Sequence, residues 1–416
     1  MWLIARKSLR QHALSTAVTV LSLALGSALV MAVFTLEEQS VQAFTGGPVG
    51  FDAVLGARGS QLQLVLNTVF HLETSPGNIP WSLYQEMKND KRRVALAVPY
   101  AVGDNYRGYR IVGTTTEMFT EFEYRKGRKF ELYEKGRVFD QSRRESVIGC
   151  NVARNTGLRV GSTFNAYHGV EYAEREKHPE EFVVVGILLP TNSPSDNVVW
   201  IPIEGIFRMQ GHQLMGTGEV YKPEEGVEIP EPHKEVSAVM LKFRNPQDGF
   251  LLAQTINKQG KVATLAFPIA QVMADFFNKM GWIQKILRLV AVLVVVVAAA
   301  SILASIYNTM NERRREFAIL RALGARRATV SGVIVLEAGT IAFLGSLLGF
   351  LFYGVILSGA AFIVRRQTGV VVDIWAFHPS LWWTPLGVTL IGALAGLIPA
   401  FKAYSTDVAT HLAPAT

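Results

Sequence analysis

Asn311-Glu312-Arg313-Arg314-Arg315-Glu316-Phe317-Ala318-Ile319-Leu320-Arg321-Ala322-Leu323-Gly324-Ala325 is the stretch on which the organisation of this chain turns. Phe317, Leu320 and Leu323 recur at i, i+3 and i+6, which predicts an amphipathic helix with one apolar stripe. Gly324 stands just past its end, where a left-handed backbone is favoured. Long apolar runs flank it. Leu289–Met310 precedes it, between Arg288 and Glu312, and Ala328–Val364 follows, with Glu337 as its only charge. A helix of about 20 apolar residues crosses a bilayer, so a short basic helix lies between two membrane spans. The second run is too long for one perpendicular span, so its ends project or tilt.

Two more runs qualify. Ala13–Phe34 carries no charge, and Trp382–Phe401 opens on an interfacial Trp382-Trp383 pair and closes at Lys402. The first exceeds the roughly 7–15 apolar residues of a signal core. It continues into Thr35-Leu36-Glu37-Glu38 without a convincing cleavage site, so it is expected to be retained. The whole composition agrees with a membrane protein. Of 416 residues, 49% are hydrophobic and only 18% charged, with a positive mean hydropathy of +0.23. That disfavours disorder, a nucleic-acid-binding arm and a purely soluble enzyme. Net charge is +7, and its distribution matters more than its total. Arg313, Arg314, Arg315, Arg321, Arg326 and Arg327 crowd one short loop, while Arg365 and Arg366 mark the opposite one. By the positive-inside rule the first loop and both termini are cytoplasmic.

Between the first two spans the composition changes to charged and turn-rich. Val94–Val98, Tyr109–Thr114, Ser146–Cys150, Phe182–Ile187, Val198–Ile203 and Val236–Phe243 read as strands. Trp81–Lys88, Val152–Leu158 and Phe250–Gln259 read as helices. The predicted fold is four transmembrane α-helices with a large α+β extracytoplasmic domain between helices 1 and 2. The expected layout is 1–12 cytoplasmic, 13–34 first span, 35–285 outer domain, 286–310 second span and 311–327 cytoplasmic helix. It continues with 328–360 third span, 361–381 outer loop, 382–402 fourth span and 403–416 tail. Glu37–Phe44 and Ile269–Lys285 read as helical stalks at the flanks of the outer domain.

No G-x-x-x-x-G-K-[ST], G-x-S-x-G, H-E-x-x-H or Rossmann fingerprint occurs, so no catalytic residue and no cofactor site is expected. His168, His178, His212 and His233 show no ligand spacing, so no metal is expected either. The lone Cys150 excludes an intrachain disulfide and reads as a small buried hydrophobe. Small residues stripe the spans: Ser15, Thr19, Ser22 and Gly26 in the first, Gly345 and Gly349 in the third, Gly392 and Gly396 in the fourth. They serve close packing, either within one chain or along a dimer seam. Glu337 is costly in an apolar segment and stands as a functional candidate, structural or proton-linked. The interleaved charges from Glu121 to Arg144 read as a solvated surface, with headgroup or partner contact as the alternative. Leu62–Phe70 is read as core, or else as an apolar surface for a lipid-like cargo.

The segment Glu312–Ala325, and above all Glu316, Ala318, Ile319, Leu320, Arg321, Ala322, Leu323, Gly324 and Ala325, resembles the cytoplasmic motif of the MacB/FtsX-like ABC transporter permeases. Phe182–Ile187 and the Gly157–Gly161 turn also look like that family's periplasmic core. The resemblance implies a permease subunit of the bacterial inner membrane, for export or lipoprotein release by mechanotransmission. It implies a second permease copy, identical or not, and a periplasmic adaptor or lipoprotein as further partner. ATP and Mg would be bound by a partner ATPase rather than by this chain. Glu312, Arg313, Arg314, Arg315, Glu316, Phe317, Leu320, Arg321, Leu323 and Gly324 would then form the ATPase-coupling site. Phe317, Leu320 and Leu323 would be its anchors and Arg313–Arg315 its polar rim. A regulatory membrane protein that activates a cell-envelope enzyme is the alternative, and a membrane-anchored enzyme the third reading.

Overall fold

The computed structural model describes residues 1–45, 50–169, 173, 177–210, 229–369, 373 and 376–405. It begins with α1 (Trp2–Gln11) and α2 (Ala13–Thr45). Next come β1 (Ala53–Ala57), α3 (Gln61–Thr68), β2 (Ile79–Pro80), α4 (Trp81–Asn89), β3 (Val94–Tyr106), β4 (Tyr109–Thr114) and α5 (Glu117–Thr120). β5 (Glu145–Ile148), α6 (Cys150–Thr156), β6 (Thr163–His168), β7 (Lys177–Ile187), β8 (Val198–Pro202) and α7 (Ile203–Phe207) follow. β9 (Glu235–Val236), β10 (Ala238–Phe243), α8 (Pro246–Gln254) and β11 (Ala263–Ala266) complete the strand-rich part. The chain ends in α9 (Ile269–Glu312), α10 (Arg314–Ala322), α11 (Arg327–Thr368) and α12 (Ser380–Ser405).

Two compact units result. The strand-rich one comprises Val41–Lys279 with Ile363–Val372, and the helical one comprises Met1–Ser40, Met280–Phe362 and Asp373–Thr416. In the strand-rich unit nine strands run in the order β11-β1-β10-β3-β4-β8-β5-β7-β6, and β6 also pairs with β3. The six strands from β3 to β6 therefore close on themselves. Alternation places Val199 and Ile201 of β8 in one core and Val198 and Trp200 in another. Both faces of the sheet are thus covered, and all five residues of β8 are buried.

That double burial explains what sequence reading missed. β1 (AVLGA) and β11 (ATLA) are buried at every position, so they lack the alternation that marks a half-exposed strand. β7 begins at Lys177 rather than Phe182, because His178 and Glu180 occupy inward positions normally held by apolar residues. Cys150 opens α6 instead of ending a strand. The Leu62–Phe70 run is mostly α3. Leu64 and Val65 are fully buried and Phe70 nearly so, which makes the run core rather than a cargo surface.

Four helices of the helical unit contain spans long and apolar enough to cross a membrane: Ala13–Gln42, Ile269–Glu312, Arg327–Thr368 and Ser380–Phe401. At about 1.5 Å per residue, the 44 residues of α9 and 42 of α11 each exceed about 60 Å, twice the hydrocarbon thickness. α11 continues through Arg365 and Arg366, where the sequence predicts loop, and stops where Gly369 takes a φ of +74°. Small residues set the packing. A Cβ on Gly349 would lie 2.0 Å from Ser27 Oγ of α2, and one on Gly345 2.6 Å from Leu23 Cβ. Cβ atoms on Gly392 and Gly396 would lie 2.3 and 2.6 Å from Ala342 and Ala338 of α11, and one on Gly26 3.2 Å from Val294 of α9.

Candidate functional site

The site starts from a break in a helix. At Arg313 the backbone leaves helical geometry, with φ −100° and ψ 10°, and so ends α9 and starts α10. The expected single helix Glu312–Leu323 is therefore α10 alone, preceded by a corner. α10 ends as the sequence predicts. Gly324 has a φ of +95°, its N–H donates to Arg321 O at 3.0 Å, and Ala325 N–H donates to Leu320 O at 3.0 Å. These two bonds make the double cap that satisfies the last carbonyls of a helix.

The corner turns Arg313 inward. Its guanidinium is buried, and Nη1 donates to Ser8 Oγ of α1 at 2.5 Å and lies 3.6 Å from Glu337 Oε2 of α11. Ser8 Oγ in turn donates to Glu337 Oε1 at 2.6 Å. Arg313 Nε donates to Glu316 Oε2 at 2.8 Å, and the guanidinium lies 5.1 Å from the Phe317 ring centre. Beside this knot His12 Nδ1 lies 3.2 Å from Glu312 Oε2. One buried cation thus ties together α1, the α9–α10 corner and α11. Removing one member of such a buried pair strands the other and costs about 3–5 kcal/mol.

The expected coupling residues divide between the inside and the surface of the unit. Arg313 is no polar rim but the centre of the knot, and Phe317 is no free anchor. Its ring is buried in the unit's own core with Ile306, Met310 and Val330, although Leu323 at the far end of the same stripe is exposed. Leu320 packs against the same core. The apolar surface α10 does present is Ile319, at 45% exposure, and Leu323, at 80%, with exposed Ala322 between them. Ile319 lies outside the i, i+3, i+6 stripe that the sequence marks, so its exposure shows only in the fold. The side chains of Arg314 and Arg315 lie outside the described residues. Glu312 and Glu316 are exposed and Arg321 half-buried.

The other singled-out residues separate in the same way. Ser15 Oγ lies 3.1 Å from Ser305 Oγ of α9. Thr19 and Ser22 hydroxyls donate to carbonyls of their own helix, Ser15 O and Val18 O. Ser27, missed in the sequence, is the hydroxyl that meets Gly349. At the far end of the same unit, Glu37 pairs with Arg288, His378 Nε2 lies 2.9 Å from Glu38 Oε2, and Gln39 Nε2 donates to Asp373 O at 2.7 Å. In the strand-rich unit burial, followed by nearby Asp196, pushes the Cys150 thiol up to about 11, so it is an inert core group. The basic residues Arg125–Lys129 are exposed. His168 and His178, which the sequence leaves apart, meet at Asp104. His212 lies outside the described residues.

Comparison with known proteins identifies the family. Residues 16–257 match the MacB-like periplasmic core domain family and residues 288–408 the FtsX-like permease C-terminal family. The first match alone covers more than half of the chain, which belongs to this MacB/FtsX-like family of ABC transporter permeases and is a multi-pass membrane protein. An uncharacterized ABC transporter permease of Methanocaldococcus jannaschii is 25% identical over 286 residues, covering 64% of this chain and 62% of that one. A probable export ATP-binding/permease protein MacB of Pseudomonas entomophila is 25% identical over 222 residues, 52% of this chain and 29% of that protein. The chain therefore spans less than two thirds of either relative. The solved periplasmic region of MacB from Actinobacillus actinomycetemcomitans aligns at 10% identity and a TM-score of 0.33, over 56% of this chain and 94% of that one. At that score the alignment carries no structural argument.

Proposed function

We propose that this chain is the membrane subunit of an ATP-driven machine of the bacterial inner membrane, and that α10 is where it receives work. Both termini and α10 face the cytoplasm in this reading, and the strand-rich unit faces the periplasm. The buried Ser8–Arg313–Glu337 knot carries the proposal, because it joins α10 to α1 and α11 behind an exposed apolar face. An ATPase outside these 416 residues binds ATP and Mg, docks on Ile319 and Leu323, and moves α10 as it closes. Two permease copies, identical or not, flank each other. α2 and α9, which run unbroken from the helical unit into the strand-rich unit, relay the movement. The work drives export or lipoprotein release by mechanotransmission, with a periplasmic adaptor or lipoprotein as partner. Glu337 holds Arg313 in place instead of shuttling a proton.

Burying an apolar side chain the size of Leu or Ile contributes about 1.5–3 kcal/mol, whereas an exposed ion pair contributes about 0–1 kcal/mol. Ile319→Asp/Leu323→Asp should therefore abolish copurification with the ATPase and lower its stimulation at least tenfold, with Arg326→Ala close to wild type. Normal binding by the double variant at matched membrane levels would reduce α10 to a topology-setting loop. Stimulation of the ATPase by a partner hydrolase, and not by any cargo, would favour the regulatory reading. Reporters fused after Gly324 should be cytoplasmic and after Gly216 external, and the reverse result would overturn the orientation.

A further inference from the structure

The six-stranded closure of the strand-rich unit depends on a short seam. β6 returns to β3 through two paired positions, Asp104↔His168 and Asn105↔Tyr167. At that seam three potential metal ligands from three strands converge: Asp104 of β3, His168 of β6 and His178 of β7, with one ligand atom of each within 4.8 Å of the others. His168 Nδ1 and His178 Nε2 each lie 3.3 Å from Asp104 Oδ1. Ligands about 2.0–2.1 Å from a tetrahedral Zn²⁺ lie about 3.4 Å from one another. These two separations match that edge, and the third pair, His168 with His178, lies within 4.8 Å.

The surroundings select an orientation. His178 Nδ1 is 3.0 Å from the backbone oxygen of Gln210, and a carbonyl can only accept, so Nδ1 carries the proton. Nε2 faces Asp104 Oδ1 at 3.3 Å, where it donates a hydrogen bond when protonated and where a metal ion would take the place of that proton. Gln210 is itself held, its N–H donating to buried Glu180 Oε1 at 3.0 Å. A histidine whose second nitrogen donates to a fixed carbonyl is the usual support of a metal ligand. Asp104 is fully buried and His178 nearly so, while His168 is 57% exposed. Imidazole and carboxylate together suit borderline divalent transition ions.

We infer that Asp104, His168 and His178 bind a divalent transition-metal ion of the zinc class, with water as fourth ligand, and that the ion pins β6 to β3 and β7. The test uses the full chain in detergent, without a polyhistidine tag, stripped by chelator and titrated with Co²⁺ and then Zn²⁺. One equivalent of Co²⁺ should give the visible absorption of tetrahedral coordination, Zn²⁺ should displace it, and Zn²⁺ should raise the unfolding temperature. His168→Ala, at an exposed position that should not impair folding, and His178→Ala should each weaken Zn²⁺ binding at least tenfold. Equal Zn²⁺ uptake by the wild type and His168→Ala would overturn the site and point to adventitious binding by other histidines. Absence of tetrahedral Co²⁺ in the wild type would overturn it too, leaving a hydrogen-bonded His–Asp–His cluster.

Discussion

The strand-rich and helical units are held together by different physics. The first fills both faces of its sheet with large side chains: Trp200 is fully buried and meets Tyr100, Phe119 and His71 edge-on at 5.7, 6.2 and 6.0 Å between ring centres. The second leaves many of its large side chains outside. Leu289, Val292, Leu293, Val296 and Val297 of α9 are all more than half exposed, while a core including Leu23, Ile302, Ile306 and Ile341 is buried beside the close approaches of Gly26, Gly345, Gly349, Gly392 and Gly396. Lipid is as apolar as leucine, so burying leucine between spans supplies no hydrophobic drive. Close backbone approach and a few polar ties must specify the arrangement instead. The lesson is that the two units should fail under opposite substitutions.

The largest expected effect is in the strand-rich unit. Trp200→Ala should cost about 3–5 kcal/mol of its stability, read by thermal unfolding in detergent, and a cost below 1 kcal/mol would mean that core is loosely packed. Next comes the knot. Arg313→Ala should cut ATPase stimulation at least tenfold by leaving Glu337 buried without its cation. Removing both, in Arg313→Ala/Glu337→Ala, should restore part of it, since an unpaired buried charge costs more than an absent pair. Strict additivity of the two single changes would show that they do not act together.

The opposite failure belongs to the small residues. Gly349→Leu should destabilise the helical unit by about 1–3 kcal/mol through overpacking against Ser27, measured by unfolding in mixed micelles. A pH-dependent effect separates the units again. Burial, and then the neighbouring Arg110 guanidinium, lower the His71 pKa to about 3. The unfolded chain takes up that proton near pH 6.5 and the folded one does not. Stability is therefore complete above pH 6.5 and declines as pH falls toward 3, by at most about 1.4 kcal/mol per pH unit. His71→Asn, which tolerates the φ of +56° found there, should flatten the decline in thermal midpoint between pH 7 and 4.5. The smallest effect is Val297→Ala, at 65% exposure, expected within about 0.5 kcal/mol. A large loss there, with loss of the dimer by crosslinking, would identify the α9 face as the seam with the second copy.

Much of the architecture was legible along the chain because its causes are local. Apolar length reveals the four candidate spans, and β4 can be read to the residue because its run of strand-forming residues is bounded by a turn at Arg107-Gly108 and by Thr115-Thr116. The end of α10 was legible for the same reason, since a left-handed residue after an amphipathic run is a property of Leu320–Ala325 alone. The knot was not. Ser8, Arg313 and Glu337 stand 305 and 329 positions apart along the pairs that join them, and no periodicity links a helix corner to a distant carboxylate. Likewise Asp104, His168 and His178 meet only because β6 closes back on β3. Sequence by itself determined which segments are apolar enough for lipid, which alternate as strands, and that Glu312–Ala325 is a charged helix with a glycine stop. Tertiary structure alone decided which face of that helix is free, which cation answers Glu337 and which histidines share a carboxylate, because burial and pairing depend on what packs across space and not on what comes next in the chain.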